Sequence, residues 1–327
     1  MFAVYAESFD ENDPLTGLVV GERPDPEVPE GWTVVTVRAA SLNHHDLFSL
    51  RGVGLGEDAL PMILGCDAAG IDEDGREVVV HAIIGNPSWV GDETLDPHRS
   101  LLSERHPGTF AERVAVPRRN VVVKPASLSF EEAACLPTAW LTAYRMLFTR
   151  GGVVPGETVL VQGAGGGVST AAITLGRAAG VRVLVTSRDA AKAQRAVELG
   201  AHEAFEHGAR LPVKVDAVLD TVGRATWSHS IRALKPGGRL ITSGTTSGPD
   251  LESAELTRIF FLQLSVVGST MGTRGELVRM LSLLDASGAR PLIHQAMPFE
   301  RAREGFAAMA HGDLFGKIVF TTAPSQW

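Results

Sequence analysis

Between Thr158 and Ser187 a strand, a glycine turn, a helix and a second strand follow one another, and few folds accommodate that succession. Thr158-Val159-Leu160-Val161-Gln162 is a β-branched, apolar run with the character of a buried strand. It empties into Gly163-Ala164-Gly165-Gly166-Gly167, where glycines let the backbone turn sharply and a ligand come close. Val168, Ala172, Leu175 and Ala179 then mark one helical stripe, Gly180 ends it, and Arg182-Val183-Leu184-Val185-Thr186 gives the next strand. Such a βαβ unit seats a dinucleotide pyrophosphate on its helix N-terminus. The fingerprint spacing falls on Ala164, Gly166 and Ser169, so only the middle position is glycine, with small residues serving the turn and the helix packing. Glycines alone mark only a turn, but here the flanking strand and helix are both present. Ala164, Gly165, Gly166, Gly167 and Val168 are the candidate pyrophosphate contacts.

About twenty residues beyond the glycines, an acid selects the ribose 2′-hydroxyl of NAD, whereas cationic groups accept the 2′-phosphate of NADP. The chain offers Ser187 and Arg188 there, with Lys192 one turn further on, which favours NADP(H). Asp189 keeps NAD open, and Ser187 or Asp189 also suits a plain helix cap.

A chain of 327 residues, 44% hydrophobic, is long enough for two cores. Its net charge of −8 argues against a nucleic-acid or anionic-membrane partner. Two cysteines cannot form a disulfide framework, the N-terminus carries no basic, apolar leader, and no apolar run reaches spanning length. A cytoplasmic protein is expected. Up to about Lys124 the chain is β-rich, with alternation over Thr33–Ala39, Glu77–His81 and Ala111–Val116. A long irregular segment, about 85–108, interrupts it, and loops of that length are functional or mobile. From Glu131 the period turns helical. Further strands are expected at Asp216–Asp220, Arg239–Ser243 and Leu264–Gly268, then a helix carrying Leu277, Met280, Leu281 and Leu284 that closes the domain. After Pro291 come a short helix and a strand, Gly316–Phe320, that rejoins the first domain. The expected division is 1–124, 125–290 and 291–327.

These residues, with Ala40-Ser41-Leu42-Asn43-His44-His45-Asp46, Leu64-Gly65-Cys66-Asp67, Pro107 to Glu112, Leu141-Thr142-Ala143-Tyr144, Leu219 to Gly223, Gly268 to Gly272 and Phe315 to Val319, resemble the medium-chain dehydrogenase/reductase superfamily. The resemblance is to its zinc-independent quinone and enone reductase-like branch, often described as zinc-type alcohol dehydrogenase-like. It implies an α/β fold: a Rossmann doubly wound parallel sheet plus a GroES-like β-barrel domain built from both chain ends. Where relatives hold catalytic zinc with two cysteines and a histidine, the matching positions are Asn43, Cys66 and Thr138, too few soft ligands for the metal. A rearranged set of His44, His45, Cys66 and Asp67 is the alternative. No zinc is expected, and no cysteine occurs between Gly85 and Gly108 for a structural zinc lobe.

Without metal polarisation, a conjugated acceptor suits hydride addition better than an alcohol does, because donors aimed at its carbonyl oxygen suffice. The implied activity is NADPH-dependent reduction of a quinone or an α,β-unsaturated carbonyl compound, a small-molecule substrate. The alternatives are a zinc-dependent alcohol or aldehyde dehydrogenase with atypical ligands, and a non-catalytic NADPH-binding protein. Asn43 is the first candidate donor to that oxygen and His45 the candidate proton donor or relay; His44, Thr142 and Gly244 join the candidate cofactor contacts. Asn43 also fits a helix cap, Cys66 and Cys135 fit packed side chains, and Trp89 fits either a substrate mouth or a barrel cover. By analogy, and to protect an apolar sheet edge near Val266, a homodimer is expected.

Overall fold

The computed structural model describes residues 1–322, so the end of the expected 291–327 segment lies outside the described residues. The chain divides into two compact units. The first comprises Met1–Thr138, Thr273–Ala286 and the chain from Arg290 on; the second comprises Ala139–Gly272 and Ser287–Ala289.

In the first unit a seven-stranded sheet runs in the order Val121–Val123, Glu77–Val80, Asp67–Asp72, Trp32–Ser41, Lys317–Thr321 and Ile293–Pro298, with Arg113–Pro117 also paired to Trp32–Ser41. All pairs are antiparallel except the last two strands, which run parallel. A three-stranded sheet of Leu18–Glu22, Phe2–Ala6 and Met62–Ile63 completes the β structure around one core. The Trp32–Ser41 strand alternates in burial over most of its length, as a sheet with one wet face must. The alternation stops at Ala39-Ala40-Ser41, all buried, where Val319 and Asp67 both lie opposite Ser41. The tail strand thus brings Lys317 beside the turn at Leu42 and Asn43. Phe110 anchors the core, edge-on to Phe306 at 6.1 Å and to Phe320 at 5.2 Å. A side chain at Gly65, φ +97°, would collide with its ring at 2.5 Å, so glycine is required there.

The second unit holds six parallel strands in the order Glu203–Glu206, Arg182–Ser187, Thr158–Val161, Val215–Asp220, Leu234–Thr242 and Ser265–Gly268. Numbered along the chain, this is 3-2-1-4-5-6, the doubly wound order, with its switch point between the first and fourth strands. The central strands are buried almost throughout, which explains their continuous apolar runs. Glu203–Glu206, a half-exposed edge strand of mixed polarity, has no alternation by which the sequence would announce it. The helix expected from Glu131 starts at Phe130, behind a capping box of Ser129 and Glu132, and two wider π turns follow, at Leu136–Trp140 and Arg145–Arg150. The Arg274–Ser287 helix buries Leu277, Met280, Leu281 and Leu284 as its period predicts, but it groups with the first unit rather than closing the second. Among the described residues no helix is long and apolar enough to cross a membrane.

Candidate active site

The buried end of the Trp32–Ser41 strand opens the site. Asn43 is the N-cap of a helix over His44–Ser49, and its backbone N–H donates to Asp46 Oδ2 at 2.8 Å. Asp46 Oδ1 accepts from the Gly65 N–H at 3.0 Å, tying the helix to the Leu64-Gly65-Cys66 turn. The Asn43 amide donates to Ser41 O at 3.2 Å and to Asp67 Oδ2 at 2.8 Å. Its oxygen accepts from Lys317 Nζ at 2.6 Å, and the same ammonium donates to Leu42 O at 2.7 Å and stands 3.6 Å from Asp67 Oδ2. Ser41 Oγ donates to Asp67 Oδ2 at 2.8 Å. Every member of this network is buried.

The network corrects the expectation for Asn43. An amide has two N–H donors, and both are spent inside the unit, leaving none for a substrate oxygen. The cap reading holds for the backbone, and the side chain braces a buried ammonium.

His45 differs. It is only half-buried, with Nε2 3.3 Å from Ser103 Oγ. Burial lowers its pKa against the opposing pull of Glu104 and Asp67, so the ring is neutral near pH 7. A neutral imidazole remains a hydrogen-bond donor. His44 is exposed on the first turn of the helix, its ring tilted against Phe48 at 6.4 Å.

Cys66 is fully buried; its thiol donates to Leu102 O at 3.2 Å and lies 3.6 Å from Ser103 Oγ. Burial, then the charges of Asp46 and Asp67, push this thiol well above its ordinary value. A cysteine that ligates zinc does so as the thiolate, with further open donors around the metal. The amide oxygen of Asn43 and the carboxylate of Asp67 instead face an ammonium, so these residues do not fit the metal. Among the described residues, no three His, Cys, Asp or Glu side chains gather as a metal site. Cys135 is core: its Sγ donates to Glu131 O, and burial pushes its pKa up to about 12.

Burial raises the Asp46 carboxyl from 3.8 to about 7, against the two backbone donors that favour its ionised form. The raised folded value means that its contribution to stability is full below the unfolded value and lost as pH climbs through 7. Asp46→Asn therefore gains on the native chain by up to ~4 kcal/mol as pH rises from 4 to 8. Denaturant unfolding across that range measures it; a pH-independent difference would show Asp46 ionised throughout.

In the second unit the glycine turn has the shape its sequence asks for. Gly163 takes φ +87°, and Gly166 is the N-cap of a helix over Gly167–Ala178 that has no side-chain cap. A Cβ at Gly163 or Gly166 would meet nothing nearer than Ser169 Oγ, at 3.7 and 4.0 Å. Open space before uncapped N–H groups fits a pyrophosphate. Ala164 is buried, while Gly165, Gly167 and Val168 are half-buried along the same turn. Gly244, φ +134°, follows the Leu234–Thr242 strand, and Thr142 is buried on a short helix, Leu141–Tyr144. Ser187 Oγ donates to Asp189 O at 2.8 Å, and Asp189 caps the Ala190–Leu199 helix through the N–H groups of Ala191 and Lys192. Arg188 is exposed beside them.

Sequence reasoning missed the polar layer under this turn. Gly163 N–H donates to Thr186 Oγ1, which donates to Gln162 Oε1 at 2.7 Å. Gln162 Nε2 bonds His229 Nδ1 at 2.8 Å and Ser230 Oγ at 3.0 Å, and Ser230 donates to the buried Asp220. His229 Nε2 reaches Ala209 O, so its proton sits on Nε2 and Nδ1 accepts. Only the polar residue ending an apolar strand hints at this.

The zinc-binding dehydrogenase family model matches residues 167–286, and the alcohol dehydrogenase GroES-like domain model matches residues 29–126. A solved structure described as an NAD-dependent alcohol dehydrogenase is 32% identical and covers 99% of this chain and 100% of its own, with a TM-score of 0.90. The chain belongs to the medium-chain dehydrogenase/reductase superfamily. It is an NAD(P)H-dependent oxidoreductase with a GroES-like domain and a Rossmann-like sheet. An acryloyl-coenzyme A reductase of Sulfurisphaera tokodaii is 29% identical over 324 residues, covering 94% of this chain and 97% of the relative. A cobalt- and zinc-bound thermostable alcohol dehydrogenase of Pyrobaculum aerophilum is 26% identical, covers 98% of this chain and 99% of its own, and has a TM-score of 0.88.

Proposed function

We propose that this oxidoreductase reduces α,β-unsaturated carbonyl compounds or quinones with NADPH and without zinc. The observation that carries the reading is Lys317: its ammonium binds the oxygen of Asn43, at a position where the resemblance puts a zinc ligand. With no Lewis acid to polarise an alcohol oxygen, the chemistry left is hydride addition to a carbon already activated by conjugation. A bound nicotinamide would supply the hydride, and the resulting enolate or hydroquinone anion would take its proton from water. His45, neutral and half-exposed, donates to the carbonyl oxygen on which charge develops. The relative named acryloyl-coenzyme A reductase supports a conjugated thioester as one such acceptor. The test is NADPH oxidation by metal-analysed protein with an enoyl thioester, an enone and a small quinone. Turnover without stoichiometric metal is expected; stoichiometric zinc with alcohol oxidation would return the chain to the alcohol dehydrogenase reading.

Ser187, Arg188 and Lys192 at the end of the second strand support NADPH over NADH. Arg188→Ala with Lys192→Ala should weaken NADPH binding about tenfold or more and leave NADH within twofold. Equal losses, read by fluorescence titration, would remove these residues from 2′-phosphate recognition.

A homodimer through the sheet edge is also inferred. Ser265–Gly268 is the outer strand, Val266 is 43% exposed, and the neighbouring Leu256, Phe260 and Phe261 are 68%, 69% and 76% exposed. An unpaired edge beside so much apolar surface is an aggregation hazard that pairing removes. Light scattering should give a dimer, and Val266→Lys a monomer; a monomeric native chain would sink the inference.

A further inference from the structure

We propose that Ser103 is a positioning residue that holds His45 in its Nδ1–H tautomer, so that one N–H is presented to a substrate oxygen; the last step rests on the reductase reading above. Ser103 belongs to the irregular 85–108 segment, yet it is fully buried. Its backbone sits at φ +68°, in the left-handed region that disfavours any residue with a Cβ. Its N–H donates to His106 O at 2.8 Å, closing the turn that fixes this conformation. The strained backbone places Oγ between two side chains, 3.3 Å from His45 Nε2 and 3.6 Å from Cys66 Sγ.

A serine hydroxyl has one proton to give. The Cys66 thiol proton is directed to Leu102 O, so its sulfur faces Ser103 only as a weak acceptor. The imidazole nitrogen is the stronger one. If Nε2 carried the proton instead, it would donate to Oγ and force the serine proton onto sulfur, exchanging an O–H···N bond for an O–H···S contact. The favoured arrangement therefore runs from Ser103 O–H to Nε2, and a neutral ring that accepts at Nε2 holds its proton at Nδ1. Among the described residues no group bonds Nδ1 of the half-exposed ring. Such a donor keeps its orientation without becoming charged.

Nitrogen-15 spectra of histidine-labelled protein decide the matter, with the His45 ring identified by its loss in His45→Gln. In the native chain Nδ1 should carry the proton. In Ser103→Ala, and in Ser103→Gly, which also relaxes the left-handed backbone, the Nε2–H form should gain population. With an enoyl thioester or enone, kcat should fall about tenfold or more at nearly unchanged KM. A native ring protonated at Nε2, or a tautomer ratio unmoved in both variants, would overturn the proposal. A shifted tautomer with full turnover would uphold the lock and remove His45 from the proposed reduction.

Discussion

His45→Phe should lower kcat for a conjugated acceptor by about a hundredfold, and NADPH affinity should change little. Phenylalanine keeps the flat ring but brings no N–H, so the loss reads the donor rather than the packing. His45→Gln should recover part of the rate, since its amide carries donors of its own. Steady-state kinetics with cofactor titration separate the cases. Equal loss in both variants would point to shape, and full activity in His45→Phe would remove the imidazole from the chemistry. Asn43 has no hydrogen to spare for that oxygen: it gives one to Ser41 O and one to Asp67 Oδ2. Asn43→Ala would then lower stability before it touched kcat, the reverse of what an oxyanion donor does.

Most of the second unit is legible because its elements are local, the edge strand Glu203–Glu206 excepted. Val159 to Val161, the glycine turn and the Ala172–Leu175 stripe each declare themselves within a few residues, and the parallel pairing of the strands follows from the alternation of strands and helices. Asp189 is legible as a capping residue by the same local logic, whereas Ser187 bonds the backbone of Asp189 itself and does not cap the helix. The candidate site in the first unit is only half-legible. Asn43 and His45 stand out by residue type and by the resemblance, but their roles depend on partners 274 and 58 positions away, Lys317 and Ser103. Ser103 lies in a segment without period, where nothing in Leu102-Ser103-Glu104 marks a buried, left-handed serine. Lys317 reads as the polar start of a tail strand, and its burial is decided by the register that sets Val319 against Ser41. Hydrophobic period assigns faces to a strand but does not choose its partner.

That register is why Lys317→Met should be the most destabilising single change in the site, by ~3–5 kcal/mol. The Lys317 side chain is 2% exposed, and loss of its ammonium leaves Asn43 Oδ1 and Leu42 O without their donor and Asp67 without its nearby cation. Asp67 Oδ1 already lacks a hydrogen-bond partner, so the carboxylate has nothing in reserve. Methionine matches the length of the lysine stem, which keeps the packing loss small and leaves the uncompensated charge as the main term. Urea unfolding gives the size of the effect, and Lys317→Met with Asp67→Asn should recover much of it by removing the stranded charge. If the double variant is no better than the single, the loss lies in the two oxygen acceptors rather than in the carboxylate. If Lys317→Met unfolds like the native chain, the ammonium contributes no net stability. The substitution would then serve as a folded protein in which to ask whether zinc can occupy the vacated position.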